Sequence, residues 1–408
     1  MFRLVIALSL VAGVAHGEPL TFNAALEIAA RSAPDIAEQT ASVDSMQASA
    51  IAAGRLPDPK LIVGIDNLPV TGDDRWSLTH DFMTMRKVGV MQDVPNRNKR
   101  RAEADIAAAA VAKAQAERHV RVLAMQRDTA VAWLNRFYVE QRAALLDDLD
   151  RENHLFAASV QAQLTGGRGM PADVIVPQQE AAELADRRDE LAAEIAKSKA
   201  ALKRWVGTAA DELLAGNRPE LNVDAEHLRA HVHQHPELAV FVPMAEMAQA
   251  EVHEAEAAKR PDWGVELTYG RRGAAFSDMA SVQFTVGLPL FARTRQDPQI
   301  EAKRQALTRV AAERNMMLLD HTQELEADLG EYEKLTRQVA RMHETRIPLA
   351  RQKVDYQFAS YRGGKSDLTA VLTARRELID EQIKRIELES RQAVLAAKLY
   401  FNYGEGAR

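Results

Sequence analysis

Two periodicities alternate along the chain. Long stretches carry apolar residues at three- and four-residue spacing, as in Val120, Leu123, Ala124, Ala130, Trp133, Leu134 and Phe137, which is the stripe of a packed α-helix. Between them lie short runs of period two. Trp263, Val265, Leu267 and Tyr269 alternate with Gly264, Glu266, Thr268 and Gly270. Val282, Phe284, Val286 and Leu288 alternate with Ser281, Gln283, Thr285 and Gly287. Leu61, Val63 and Ile65 do the same, and a fourth run spans Met83 to Gln92. Each reads as a strand with one apolar and one polar face. In the fourth run Arg86 shares the face of Val88 and Val90, so it belongs at a rim or the assignment is one residue out.

The pattern occurs twice. "LTFNAALEIAARSAPDI" (Leu20 to Ile36) matches "DAEHLRAHVHQHPEL" (Asp224 to Leu238), and Pro34–Pro236 and Pro59–Pro261 share one offset. "VGVMQDVPNRNKRR" (88–101) matches "FTVGLPLFARTRQ" (284–296), and "LTGGRGMPADV" (164–174) matches "YRGGKSDLTAV" (361–371). Matches in one order mark an internal repeat. Each half reads as helix, strand, strand, long helix, turn, helix. Asn98 to Thr165 and Asp297 to Tyr361 would each run roughly 100 Å as α-helix, and the helices about 21–54, 172–206, 224–258 and 367–402 roughly 50 Å each. Two shorter helices end to end match one long one. The expected organisation is a signal peptide at 1–17, repeats at 18–207 and 224–408, and a linker at 208–223.

Composition narrows the address. The 408 residues include no cysteine and carry net charge −6. Disulfides, thiolate metal sites, a cysteine nucleophile and a lipidated N-terminal cysteine are excluded, and the mild charge gives no cause to expect nucleic acid. Arg3, the apolar run Leu4–Val14 and Ala15-His16-Gly17 have the layout of a secretory signal peptide. No later run reaches 18 apolar residues, so any membrane crossing is by strands. Four strands cannot close a barrel, so the chain must assemble; two copies give eight strands and three give twelve. A half-buried soluble hairpin satisfies the alternation equally well. No nucleophile–base pair, HExxH or phosphate loop appears, so an enzyme is not expected, nor a cofactor.

The duplicated order, with "PDPKL", "VGVMQDVP" and "VGLPLF", resembles the TolC outer-membrane factor family over the whole mature chain. "DFMTMRKVGVMQDVP" is similar to its CzcC/CusC-like heavy-metal branch. The resemblance implies a mainly α fold with β: long antiparallel helices forming an α-barrel and four membrane strands per chain. It further implies a homotrimer with a twelve-stranded β-barrel in outer-membrane lipid and a periplasmic helical barrel. Such a duct is passive and exports heavy-metal cations (copper, or zinc, cobalt and cadmium) with a periplasmic adaptor and an inner-membrane resistance-nodulation-division pump. A multidrug or type I secretion duct is the alternative within this fold; a structural coiled-coil periplasmic protein is the alternative outside it.

The resemblance places the double-glycine turns at periplasmic tips. Gly166, Gly167, Gly363, Gly364, Lys365 and Ser366 would dock the adaptor, with Tyr361, Arg362, Asp173 and Asp367 at the entrance. The two aspartates have two compatible readings: acidic rings that attract cations, or acids at helix N-termini. His227 and His231 are spaced four apart, compatible with a divalent metal; a solvated helix start is the other reading. Met83, Met85 and Met91 admit Cu(I) ligation or plain apolar filling.

Overall fold

The computed structural model describes residues 19–167 and 170–404. The expected signal peptide lies outside the described residues. The chain divides into two compact units. The first contains the chain up to Ile36, Arg121–Val232 and Thr322–Arg408; the second contains Ala37–Val120 and His233–His321.

The helices are α1 (Phe22–Ser32), α2 (Pro34–Ala52), α3 (Arg97–Thr165), α4 (Ile175–Val206), α5 (Ala225–His231), α6 (Pro236–Ala239), α7 (Phe241–Ala257), α8 (Gln296–Arg341), α9 (Ile347–Arg362) and α10 (Leu368–Tyr403). The strands are β1 (Lys60–Asp66), β2 (Met85–Val94), β3 (Trp263–Arg271) and β4 (Met279–Val286). Among the described residues, no helix is long and apolar enough to cross a membrane.

The stretches 21–54 and 224–258, read above as single helices, are each interrupted. Ala33 and His235 precede Pro34 and Pro236 and are extended or non-helical, with ψ of 116° and 133°. Proline disfavours the helical region for the residue before it. The second long helix is also not uniform. Between α8 and α9, Met342–Arg346 forms one wider π-type turn. Pro348 accounts for it: lacking an N–H, it cannot bond the Glu344 carbonyl, and its ring crowds that carbonyl. The Ile347 N–H bonds the Met342 carbonyl instead.

The core of the first unit centres on Trp133, fully buried, with Phe22 edge-on at 5.5 Å and Phe137 stacked at 5.1 Å. Its indole N–H donates to the Leu20 carbonyl at 3.3 Å. Arg136, one turn along α3, is 4% exposed. Its guanidinium donates to the carbonyls of Ala210 (2.7 Å) and Glu212 (2.8 Å) and pairs with Glu140. A buried guanidinium is tolerated because fixed acceptors replace its water, and here it ties the loop after α4 to α3. Further along the same helices, Leu146, Leu149, Leu184, Leu191 and Ile379 form a second layer; Phe156, Val160, Leu368 and Val371 form a third. Of the seven α3 positions that define the stripe, Leu123, Ala130, Trp133 and Leu134 are buried and the other three half-buried.

In the second unit α7 packs on α8 through Phe241, Ala248 and Val310, and the four strands form one antiparallel sheet in the order β1-β2-β3-β4. α2 ends before Pro57 and Pro59 are reached. Gly54, at φ +70°, turns the chain, and a Cβ there would lie 2.3 Å from the Arg100 carbonyl oxygen. Only glycine combines that backbone with that approach. The two prolines then keep the following segment extended. Asn96 joins the strand ends to α3. Its N–H and side-chain amide donate to Asp262 Oδ1 at 2.7 and 2.9 Å, and its Oδ1 accepts from the Lys99 N–H at 3.0 Å, an N-cap for the long helix.

Candidate membrane sheet and tip turns

Register decides what the sheet can face. Leu61 opposes Val90, and Val63 opposes Val88. Val88 opposes Tyr269, Val90 opposes Leu267, and Gln92 opposes Val265. Leu267 opposes Val282, Val265 opposes Phe284, and Trp263 opposes Val286. Directly opposed residues share a face, so these side chains make one mainly apolar surface across all four strands, with Gln92 its polar member, its amide donating to the Pro57 carbonyl at 2.7 Å. Its members are open in the single chain: Val63 is 73% exposed and Phe284 69%. Arg86 opposes Ile65 and Arg271 at the start of β2, so it sits at the rim, as its alternation requires. β2 begins at Met85 rather than Met83. Asp81 Oδ1 accepts from the N–H groups of Met83 (2.8 Å) and Thr84 (3.0 Å), and the Thr84 hydroxyl donates to the Asn67 carbonyl. That turn holds Met83 and Thr84 out of the ladder. β4 ends at Val286 rather than Leu288, because Gly287 and Pro289 follow and Pro289 has no ladder donor.

The opposite face is polar and internally paired. Lys60 meets Asp93 at 2.6 Å and Lys87 meets Asp66 at 3.1 Å across β1 and β2. Glu266 lies between Met91 and Gln283. Met85, Met91 and Met279 lie on this face by register. β1 and β4 each have one neighbour, so both outer edges present unpaired backbone groups. In a hydrocarbon layer those groups need partners, and exposed flat edges in water are pairing sites.

At the tips, Gly166 and Gly363 donate to the carbonyls of Ala162 and Ala359, both at 3.0 Å. Gly167 and Gly364 then adopt φ +69° and +67° with open space where a Cβ would point. The Lys365 N–H closes the second turn on the Ser360 carbonyl at 2.9 Å, a left-handed helix stop. Lys365 is exposed and Ser366 half-buried. Both aspartates cap: Asp173 Oδ2 accepts from the Met170 N–H at 2.9 Å and Asp367 Oδ1 from the Ala370 N–H at 3.0 Å. Tyr361 bridges the two turns, its hydroxyl donating to Gln163 Oε1 at 2.8 Å. Burial, then the charge of Asp173, push the Tyr361 phenol above its ordinary pKa. The Arg362 guanidinium lies 5.9 Å over the Phe358 ring. The tip residues are therefore gathered at one end of the first unit.

Two features escape the sequence reading. Glu180 is 3% exposed, 3.6 Å from Arg375, with neither carboxylate oxygen hydrogen-bonded among the described residues. Burial pushes its pKa up, and Arg375 opposes the shift. Arg375 also lies 5.1 Å over Phe156. The signal was present: Glu180 interrupts the buried stripe Pro177, Leu184, Leu191, Ser198, Leu202 of α4. The second concerns histidines. His227 and His231 stack at 4.1 Å, and His231 Nδ1 lies 2.8 Å from the His227 carbonyl oxygen. The ligand-type cluster gathers other residues, His235, Glu237 and His321. His321 comes from a helix 84 residues away in the chain, a pairing that no local spacing reveals.

No protein-family model matches the chain, and no curated protein matches it. Solved structures do. A membrane protein from Pseudomonas aeruginosa aligns with TM-score 0.79 and 13% identity over 94% of this chain and 90% of that one. CusC, described in terms of folding and transmembrane channel formation, aligns with TM-score 0.78 and 14% identity over 94% and 92%. The outer membrane protein VceC from Vibrio cholerae aligns with TM-score 0.74 and 20% identity over 94% and 96%. The chain has the TolC-like fold.

Proposed function

We propose that this chain is the outer-membrane channel of a tripartite export system, acting as a homotrimer and catalysing no reaction. The observation that carries the reading is the sheet: one apolar face with its polar residues, Gln92, Arg86 and Arg271, toward the strand ends, one ion-paired polar face and two open edges. In a closed twelve-stranded barrel the apolar face meets lipid, the polar face lines water and each edge finds a neighbour. The neighbours of this fold described as outer membrane proteins support the same placement. The helices then lie in the periplasm. The tip residues Gly166, Gly167, Gly363, Gly364, Lys365 and Ser366 receive a periplasmic adaptor, and Tyr361, Arg362, Asp173 and Asp367 border the entrance. A resistance-nodulation-division pump supplies energy and selects cargo.

For cargo we favour heavy-metal cations. The resemblance of 81–95 to the metal branch supports this, as does the placement of three thioethers, Met85, Met91 and Met279, on the water-lining face of the proposed barrel, since thioethers suit soft cations. The test is a deletion strain, with the same strain complemented by the gene as the control that restores tolerance. Loss of copper, silver, zinc or cobalt tolerance, with unchanged tolerance of drugs, is the expected result. Unchanged metal tolerance removes the cargo assignment, and recovery of the chain as a soluble periplasmic monomer removes the channel.

A further inference from the structure

We propose that His235, Glu237 and His321 bind one divalent transition cation of the zinc class. The three side chains each offer a ligand atom, all within 4.8 Å of one another. His321 Nε2 stands 3.1 Å from Glu237 Oε2. That is close to the separation of roughly 3.4 Å between ligands on a tetrahedral ion with bonds of about 2.0–2.1 Å. The His235 and His321 rings stack at 3.8 Å and 28°. Both imidazoles are buried, at 7% and 9% exposure, while Glu237 is half-open and provides the entry side.

Before metal binds, the ligands are held in place by their neighbours. His235 caps the short helix α6, its Nδ1 accepting from the Glu237 N–H at 3.2 Å. Pro236 and Leu238, on either side of Glu237, are buried and fix that turn. His321 projects from the interior of α8. Two neutral imidazoles and one carboxylate carry charge −1, which a divalent ion overcompensates by one, and a fourth position stays open to water. A set of nitrogen and oxygen donors without sulfur selects Zn(II), Ni(II), Co(II) or Cu(II) over Cu(I). In the neutral His235 side chain the cap bond leaves the proton on Nε2. Ligation at that nitrogen moves the proton to Nδ1 and gives up the cap, so His235 is the most costly ligand and Glu237–His321 the firm edge. Zinc binding at this site is separate from cargo and needs neither the pump nor the barrel.

The experiment uses the full-length protein in detergent, stripped with a chelator and titrated with Zn(II) by calorimetry. One tight site per chain is expected. Glu237→Gln and His321→Ala should each weaken it by about 10- to 100-fold or more, and the His227→Ala/His231→Ala pair should leave it intact. Glu237→Gln keeps the shape and can still bond His321, so it reports even where His321→Ala fails to fold. Zinc-edge absorption should show imidazole and oxygen ligands only. Absence of a tight site in the unmutated chain, unchanged affinity in Glu237→Gln, or loss confined to the His227/His231 variant would each overturn the assignment.

Discussion

At the tips, one glycine of each pair is required by backbone geometry and the other is not. Gly167 and Gly364 sit in the left-handed region, where an L side chain costs roughly 1–2 kcal/mol. Gly363, at φ −82°, does not. Gly167→Ala and Gly364→Ala should each destabilise the fold by about 1 kcal/mol, read as a lower melting temperature. Gly363→Ala should be neutral or slightly stabilising, since alanine narrows the unfolded ensemble. Glu180 makes a pH-dependent contribution. Its native pKa lies above the ordinary value, so as pH rises the unfolded chain loses this proton first and native stability falls across that window. Glu180→Gln has no such titration. Its melting temperature relative to the parent should therefore climb from acid toward neutral pH, and a flat difference would argue against a buried, proton-retaining carboxyl. Arg375→Met should be worse at neutral pH, by about 3 kcal/mol, because it leaves the carboxylate buried and unpaired.

Among elements, β4 offers the sharpest contrast, since consecutive residues face opposite surroundings. Val282 joins the apolar face beside Leu267, and Gln283 joins the polar face beside Glu266. Val282→Arg should cost about 2–4 kcal/mol if that face meets lipid and should reduce folding into lipid vesicles. Gln283→Arg should be tolerated, with Glu266 as a partner. Equal tolerance of both would remove the lipid assignment. The helices show a different economy. Pro34, Pro236 and Pro348 each disturb a helix that the apolar stripe alone would draw as continuous, two by freeing the preceding residue and one by forcing a π turn.

For the whole molecule, the two sheet edges are the governing fact. The chain has no cysteine, so single cysteines at Leu61 or Val63 in β1, combined with Val282 or Phe284 in β4, can be read without background. In membranes, oxidation of a matched pair should yield a covalent species of three chains. A ladder without a three-chain limit, or no cross-link with any pair, would refute closure by three.

The sequence by itself determined the type and doubled order of the main elements and the two faces of every strand, but not the breaks at Pro34, Pro236 and Pro348. Type, order and faces follow from local periodicity, and period two survives an error of two residues at either strand end. It also marked the tip stops, because two glycines before a polar restart encode a helix end in a few neighbouring residues. What only the tertiary structure decided depends on residues far apart in the chain. Position 54 takes glycine because the Arg100 carbonyl lies against it; Glu180 is buried with Arg375, from a distant helix, beside it. The histidine cluster leaves His227 and His231 aside because packing, and not spacing, carries His321 to His235 and Glu237. Such contacts depend on which helix faces meet, and no single stretch of sequence contains that information.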